Sequence, residues 1–213
     1  LCKNKFARLY PEGVCYDCRE KIQHEPYALN GEDIPRHLKK IGVGKRYIDS
    51  TLDNFVGGEQ IIKYCRKWVE NPCSLYLHGN YGCGKTHIAT ALCREIIKKK
   101  EMPKVRFVNA SDLFLEIRST FRPEGDSELS VVDKFCSRDF LFIDDLGADK
   151  TSDWSRATMY LIIDRRDREM LPTIITSNMN PKQLAENIDG RISSRLANGR
   201  IINIQMPDYR LKR

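Results

Sequence analysis

The run GNYGCGKT at residues 79–86 constrains this chain more than any other stretch. Gly79, Gly84, Lys85 and Thr86 stand in register with the phosphate-binding loop pattern. Glycines let such a loop turn tightly and aim successive N–H groups at anionic oxygens, and a helix that follows adds the positive end of its dipole. From average residue usage the pattern arises by chance on the order of once per hundred chains of this length. The flanks fit it. Residues 74–78 (SLYLH) form a short apolar run, and over residues 86–99 Ile88, Leu92 and Ile96 recur at helical spacing on one face. The order is strand, glycine loop, helix. Lys85 would reach the β- and γ-phosphates of a nucleotide, and the Thr86 hydroxyl would bind Mg²⁺.

The rest of the chain repeats the alternation. Residues 61–70 read as a helix closed by Asn71 and Pro72, residues 105–108 as a strand, and residues 111–121 as a helix with Ser111 as its cap. Residues 122–127 read as a Pro/Gly loop. Residues 140–143 form an apolar strand that runs into Asp144 and Asp145. Residues 153–170 read as a long helix with Trp154, Ala157 and Leu161 along one side. Residues 173–176 and 201–204 complete a set of five strands. Strands alternating with helices predict an α/β fold, a five-stranded parallel sheet flanked by helices.

The acids at the end of the third strand, in LFIDDLG (residues 141–147), lie where α/β sheets place ligands. Asp144 would hold Mg²⁺, and Asp145 would activate the attacking water. In TIITSN (residues 173–178) Asn178 could position that water. GRISSRL (residues 190–196) puts Arg191 and Arg195 four apart on one helical face.

Taken in order, these four segments resemble Walker A, Walker B, sensor 1 and the arginine-finger motif of an AAA+ ATPase. Within that superfamily the chain is most similar over residues 47–206 to the DnaC/DnaI group of bacterial and phage helicase loaders, with the related IstB transposition ATPases. The resemblance implies a P-loop AAA+ core that binds ATP and Mg²⁺ along Gly79, Asn80, Tyr81, Gly82, Cys83, Gly84, Lys85, Thr86 and His87. It implies Mg²⁺ at Thr86 and Asp144, with Asp145 as the catalytic carboxylate and Asn178 as sensor 1. Arg195 would be a finger reaching the neighbouring subunit's γ-phosphate, with Arg191 as the alternative or an assembly contact. The expected partners are a replicative hexameric DNA helicase, single-stranded DNA and further copies of the chain. The alternative is an IstB-like regulator that deforms duplex DNA for a transposase. The nine residues after Ile204, QMPDYRLKR, are too few for the small helical lid of most AAA+ proteins, as in the loader subgroup. Asp145 stands where many AAA+ enzymes carry glutamate, and its shorter reach predicts slow hydrolysis.

Composition bears on the setting. The chain has 213 residues, of which 41% are hydrophobic, and a net charge of +7, which favours an anionic partner without requiring one. No run of about 18 apolar residues predicts a membrane span. Nothing at the start reads as an export signal, and eight cysteines are too few for a disulfide scaffold, so reduced thiols and a cytoplasmic location are expected. Asn30 to Pro35 read as turn and linker, dividing a Cys-rich module at residues 1–35 from an ATPase domain at residues 36–213. Residues 36–55 look like a basic approach to that domain. Cys15 and Cys18 form a C-x-x-C pair 13 residues beyond Cys2, spacing that suits a structural Zn²⁺ site. The fourth ligand is His24 or a cysteine preceding Leu1, the latter favoured because His24 sits in a turn beside Glu25 and Pro26. So few large apolar side chains could hardly fold without such a staple.

Overall fold

The computed structural model describes residues 33–99, 103–121, 127–148 and 152–209. Cys2, Cys15, Cys18 and His24 lie outside these residues. Helix α1 (Asp33–Ile41) is followed by a 3-10 turn (Lys45–Tyr47) and α2 (Glu59–Glu70). Then come β1 (Leu75–His78), α3 (Lys85–Lys99), β2 (Val105–Asn109), α4 (Ala110–Arg118), α5 (Glu128–Cys136), β3 (Phe140–Leu146) and α6 (Asp153–Arg168). The chain continues through β4 (Thr173–Ser177), the short α7 (Pro181–Leu184), a π-helical turn (Ala185–Asp189), α8 (Gly190–Ala197) and β5 (Arg200–Asn203). Among the described residues no helix is long and apolar enough to cross a membrane.

All five strands pair in parallel, in the order β2-β3-β4-β1-β5. Every residue of β1 and β4 is buried, as expected for central strands covered on both faces. One core cluster packs α1, α2 and α3 against the sheet through Leu38, Trp68, Ile88, Leu92 and Ile96. The other joins α4, α5, α6 and α8 to the opposite face through Leu113, Phe135, Ile162 and Leu196. Each fully buried Leu or Ile stabilises the fold by about 1.5–3 kcal/mol relative to exposure. β2 and β5 are the edge strands, and Ile201 on β5 is exposed.

Several local expectations are corrected. Residues 36–55 are not a plain basic approach: α1 begins at Asp33, and Ile34, Leu38 and Ile41 enter the core at helical spacing. Pro35 is tolerated because a first-turn N–H has no partner within its helix. The cap of α4 is Asn109, whose side chain accepts from Ser111 N–H; Ser111 itself is inside the helix. Asn109 also ends β2, so strand and helix meet with no loop between them. α5 was not expected; Ser127 caps it, and Val131, Val132 and Phe135 are its buried face. On α6 the buried stripe is Ser155, Thr158, Met159, Ile162, Ile163 and Arg166, whereas Ala157 is exposed.

Arg166 is fully buried, and among the described residues no carboxylate forms a salt bridge with it. Its guanidinium donates to the carbonyls of Phe135, Cys136, Arg138 and Pro172 and to Thr173 Oγ1. It thereby satisfies carbonyls left unpaired at the end of α5, where the negative end of the helix dipole favours a cation.

Candidate nucleotide site

Three strands deliver the site at their C-terminal ends. The loop follows β1, the acids end β3, and Asn178 follows β4, which lies between the other two. That order brings Asn178 between loop and acids. Lys85 opens α3, only 7% exposed. Its Nζ donates to the Asn178 Oδ1 at 2.6 Å and to the carbonyls of Gly79 and Asn80 at 3.0 and 2.9 Å. Asn178 Nδ2 in turn donates to Asp145 Oδ1 at 3.3 Å.

A β-bulge aims the two acids. Ile143 pairs with Ile175 and Leu146 with Ser177, so β3 spends one residue more than β4 over the same span. Asp145 takes up the difference with φ +58°, a left-handed conformation that Asp tolerates better than most residues. Thr176 locks the bulge: its Oγ1 donates to Asp144 Oδ1 at 2.6 Å and accepts from Asp145 N–H at 2.9 Å. Thr86 Oγ1 donates to both Asp144 oxygens, at 3.0 and 3.1 Å. Burial raises the Asp144 carboxyl above its ordinary range, while the Thr176 and Thr86 hydroxyls oppose the rise and Asp145 adds to it.

The loop is clasped from two sides. A Cβ on Gly84 would meet the Phe55 ring at 2.6 Å, and a Cβ on Gly82 would collide with the Asp208 carboxylate. Both glycines have positive φ, so close approach and conformation each require glycine there. Cys83 is buried, whereas Tyr81 is exposed. His87 Nε2 lies 2.9 Å from the Thr51 carbonyl and its ring packs near Phe55. The donor set suits a nucleotide with a hard cation: an ammonium and loop N–H groups at a helix N-terminus, beside a hydroxyl and carboxylate of the kind Mg²⁺ prefers. Among the described residues no cluster of three or more His, Cys, Asp or Glu side chains forms a further metal site.

Arg191 and Arg195 share one face of α8, but both turn toward α6. Arg195 Nε donates to Asp164 Oδ1 at 2.7 Å and Nη2 to Tyr160 Oη at 2.8 Å. Both guanidinium groups lie over the Tyr160 ring, at 4.2 Å for Arg191 and 4.6 Å for Arg195. Arg191 is also paired with Asp189, the cap of α8. Thr176, Phe55, Asp164 and Tyr160 were not singled out from the sequence. Thr176 stood inside the quoted TIITSN run, and only its place beside the bulge gives it a role.

Residues 49–203 match the family model of the bacterial DnaA ATPase domain. The replicative helicase loader DnaC of Escherichia coli K12 is 25% identical over 172 residues, covering 77% of this chain and 69% of that protein. DnaC from Buchnera aphidicola of Acyrthosiphon pisum is 25% identical over 90% of this chain and 80% of its own length. A crystal structure of the DnaC helicase loader superposes with a TM-score of 0.67 at 25% identity, over 76% of this chain and 100% of that one. AMPPCP-bound DnaA from Aquifex aeolicus shares the fold, with a TM-score of 0.65 at 21% identity over 75% of this chain. This chain spans about half of that DnaA, 51%. The chain belongs to the bacterial DnaA ATPase domain family and, within the AAA+ ATPases, to the DnaC/DnaI helicase-loader group.

Proposed function

We propose that this protein is an oligomeric, ATP-hydrolysing switch that helps load a replicative hexameric DNA helicase onto single-stranded DNA. The observation that carries the reading is the likeness to the DnaC helicase loader along that structure's whole length. The geometry of Lys85, Asn178 and the two acids supports the ATPase part.

In this reading the loop from Gly79 to His87 cradles the nucleotide, and Lys85 exchanges its bonds to the Gly79 and Asn80 carbonyls for phosphate oxygens. Thr86 and Asp144 hold Mg²⁺, which when bound neutralises phosphate charge. Asp145 accepts the proton of the attacking water, and Asn178, already bonded to both Lys85 and Asp145, orients that water. Arg195 of a neighbouring copy stabilises the charge that develops on the transferred phosphate. Hydrolysis is slow because Asp145 has a short reach. A solved DnaA structure contains AMPPCP and single-stranded DNA. Single-stranded DNA is accordingly the proposed nucleic acid here, bound through its phosphates by a chain of net charge +7. The segment that precedes α1 is read as a docking module in which Cys2, Cys15 and Cys18 bind Zn²⁺, ending before Ile34, which belongs to the core; about one equivalent of zinc in the purified protein supports it, and under half an equivalent rejects it.

The deciding experiment is light scattering after size-exclusion chromatography of the protein mixed with its cognate replicative helicase, with and without ATP and Mg²⁺. A stable complex supports the loader, and its mass gives the stoichiometry. No complex in either state overturns the helicase partnership and makes duplex DNA the next partner to test.

A further inference from the structure

The segment that leaves β5 turns back across the phosphate loop and is anchored there at several points. Ile204 N–H donates to the His78 carbonyl at 2.7 Å, and the Ile204 carbonyl occupies the space a Cβ on Gly79 would need. The Met206 side chain lies on Gly57 and packs against the core cluster of the α3 side. Tyr209 N–H donates to the Gly82 carbonyl at 3.1 Å. Between the last two anchors, Asp208 places both carboxylate oxygens against Gly82, in the middle of the loop. The Met206 side chain on one side and the Tyr209 N–H on the other hold this stretch of chain beside the loop.

A phosphate loop works by concentrating positive potential: N–H groups, the α3 N-terminus and Lys85 all favour anions at one point. A carboxylate fixed against the loop's central glycine subtracts from that potential. We infer that Asp208 is an affinity-setting residue of the nucleotide site, which weakens binding in proportion to the charge of the phosphate chain. The inference rests on reading residues 79–86 as that site. It gives the protein a built-in means of releasing nucleotide, with the strap of residues 204–209 as the part whose displacement would tighten binding.

The test is calorimetric titration of the full chain with AMP, ADP and ATP, comparing wild type, Asp208→Asn and Lys85→Ala. Asparagine keeps the size of the side chain and removes its charge, and equal thermal midpoints of wild type and Asp208→Asn check the fold. The expected result is an ATP Kd about three- to ten-fold lower for Asp208→Asn. The gain should grow from AMP to ATP and shrink in 0.5 M salt, where charges are screened beyond about 4 Å. An ATP Kd within two-fold of wild type, weaker binding, or an equal gain for all three nucleotides overturns the role of Asp208 while leaving the site in place. ATP binding by Lys85→Ala as tight as wild type overturns the site itself, and the inference with it.

Discussion

Arg195 and Asp164, 31 residues apart, form a two-pronged ion pair between α8 and α6, with Nε and Nη2 both on Oδ1 at 2.7 and 2.5 Å. The hydrogen bond from Arg195 is the main reason that the Asp164 carboxyl sits below the usual range. A guanidinium held in this way has a defined direction before any partner arrives, which is what a residue serving a neighbouring subunit needs.

If Arg195 acts in trans, Arg195→Ala lowers the ATPase rate of the assembled protein about a thousand-fold. Asp164→Ala leaves the arginine present but unheld, and lowers the rate by up to about a hundred-fold. Steady-state hydrolysis at matched assembly, checked by light scattering, measures both. An unchanged rate for Arg195→Ala in the assembled protein removes Arg195 from the reaction.

Thr176 joins the two acids through one hydroxyl. Thr176→Val keeps the shape, removes a 2.6 Å donor from Asp144, and leaves the Asp145 N–H without its acceptor. Mg²⁺ affinity in the presence of nucleotide should fall about 10- to 100-fold. The Mg²⁺ concentration giving half-maximal hydrolysis reads the change directly, and a shift of less than two-fold assigns Thr176 to packing alone.

Burial brings the Arg166 guanidinium down to about 10, still charged at neutral pH. Arg166→Met keeps much of the volume and abandons the buried carbonyls of Phe135, Cys136, Arg138 and Pro172, each worth about 1–3 kcal/mol when left unmet. A loss of at least about 3 kcal/mol is expected from urea unfolding. Arg166→Lys, with one donor head for five spread acceptors, should recover little of it.

His37, His78 and His87 are all held below the ordinary imidazole value, chiefly by burial; Lys40 and Lys85 add to it at His37 and His78, while the Thr51 carbonyl opposes it at His87. Below about pH 6.5 the unfolded chain therefore binds more protons than the folded one, and these residues make stability fall as pH drops toward 5. The Nε2 of His37 is buried and, among the described residues, has no hydrogen-bond partner, so His37→Phe should stabilise the fold more at pH 5 than at pH 7. Thermal midpoints at the two pH values test this, and an equal effect at both rules out protonation of His37 as the cause.

Much of the fold and site was legible along the chain because the signals are local. The glycine spacing of residues 79–86, the apolar run ending in Asp144 and Asp145, and the Ile88, Leu92, Ile96 stripe each express a short-range requirement of backbone geometry or burial. Five strands, their parallel pairing and the convergence of Lys85, Asp144, Asp145 and Asn178 followed from these. Tertiary structure decided what depends on contacts between distant segments. α5 is not legible along the chain, because its three buried side chains follow a Pro/Gly loop, where composition favours a turn. Arg166 stands in the sequence within the charged run DRRDR, residues 164–168, and only the packing of the end of α5 over it sets it apart. Asp208 could be placed on Gly82 only once the path of the chain beyond β5 was known, and Asp164 became the partner of Arg195 only when α8 docked on α6. Hydrogen bonds and ion pairs of this kind leave no periodicity in a sequence, since their spacing is set by the packing of whole elements.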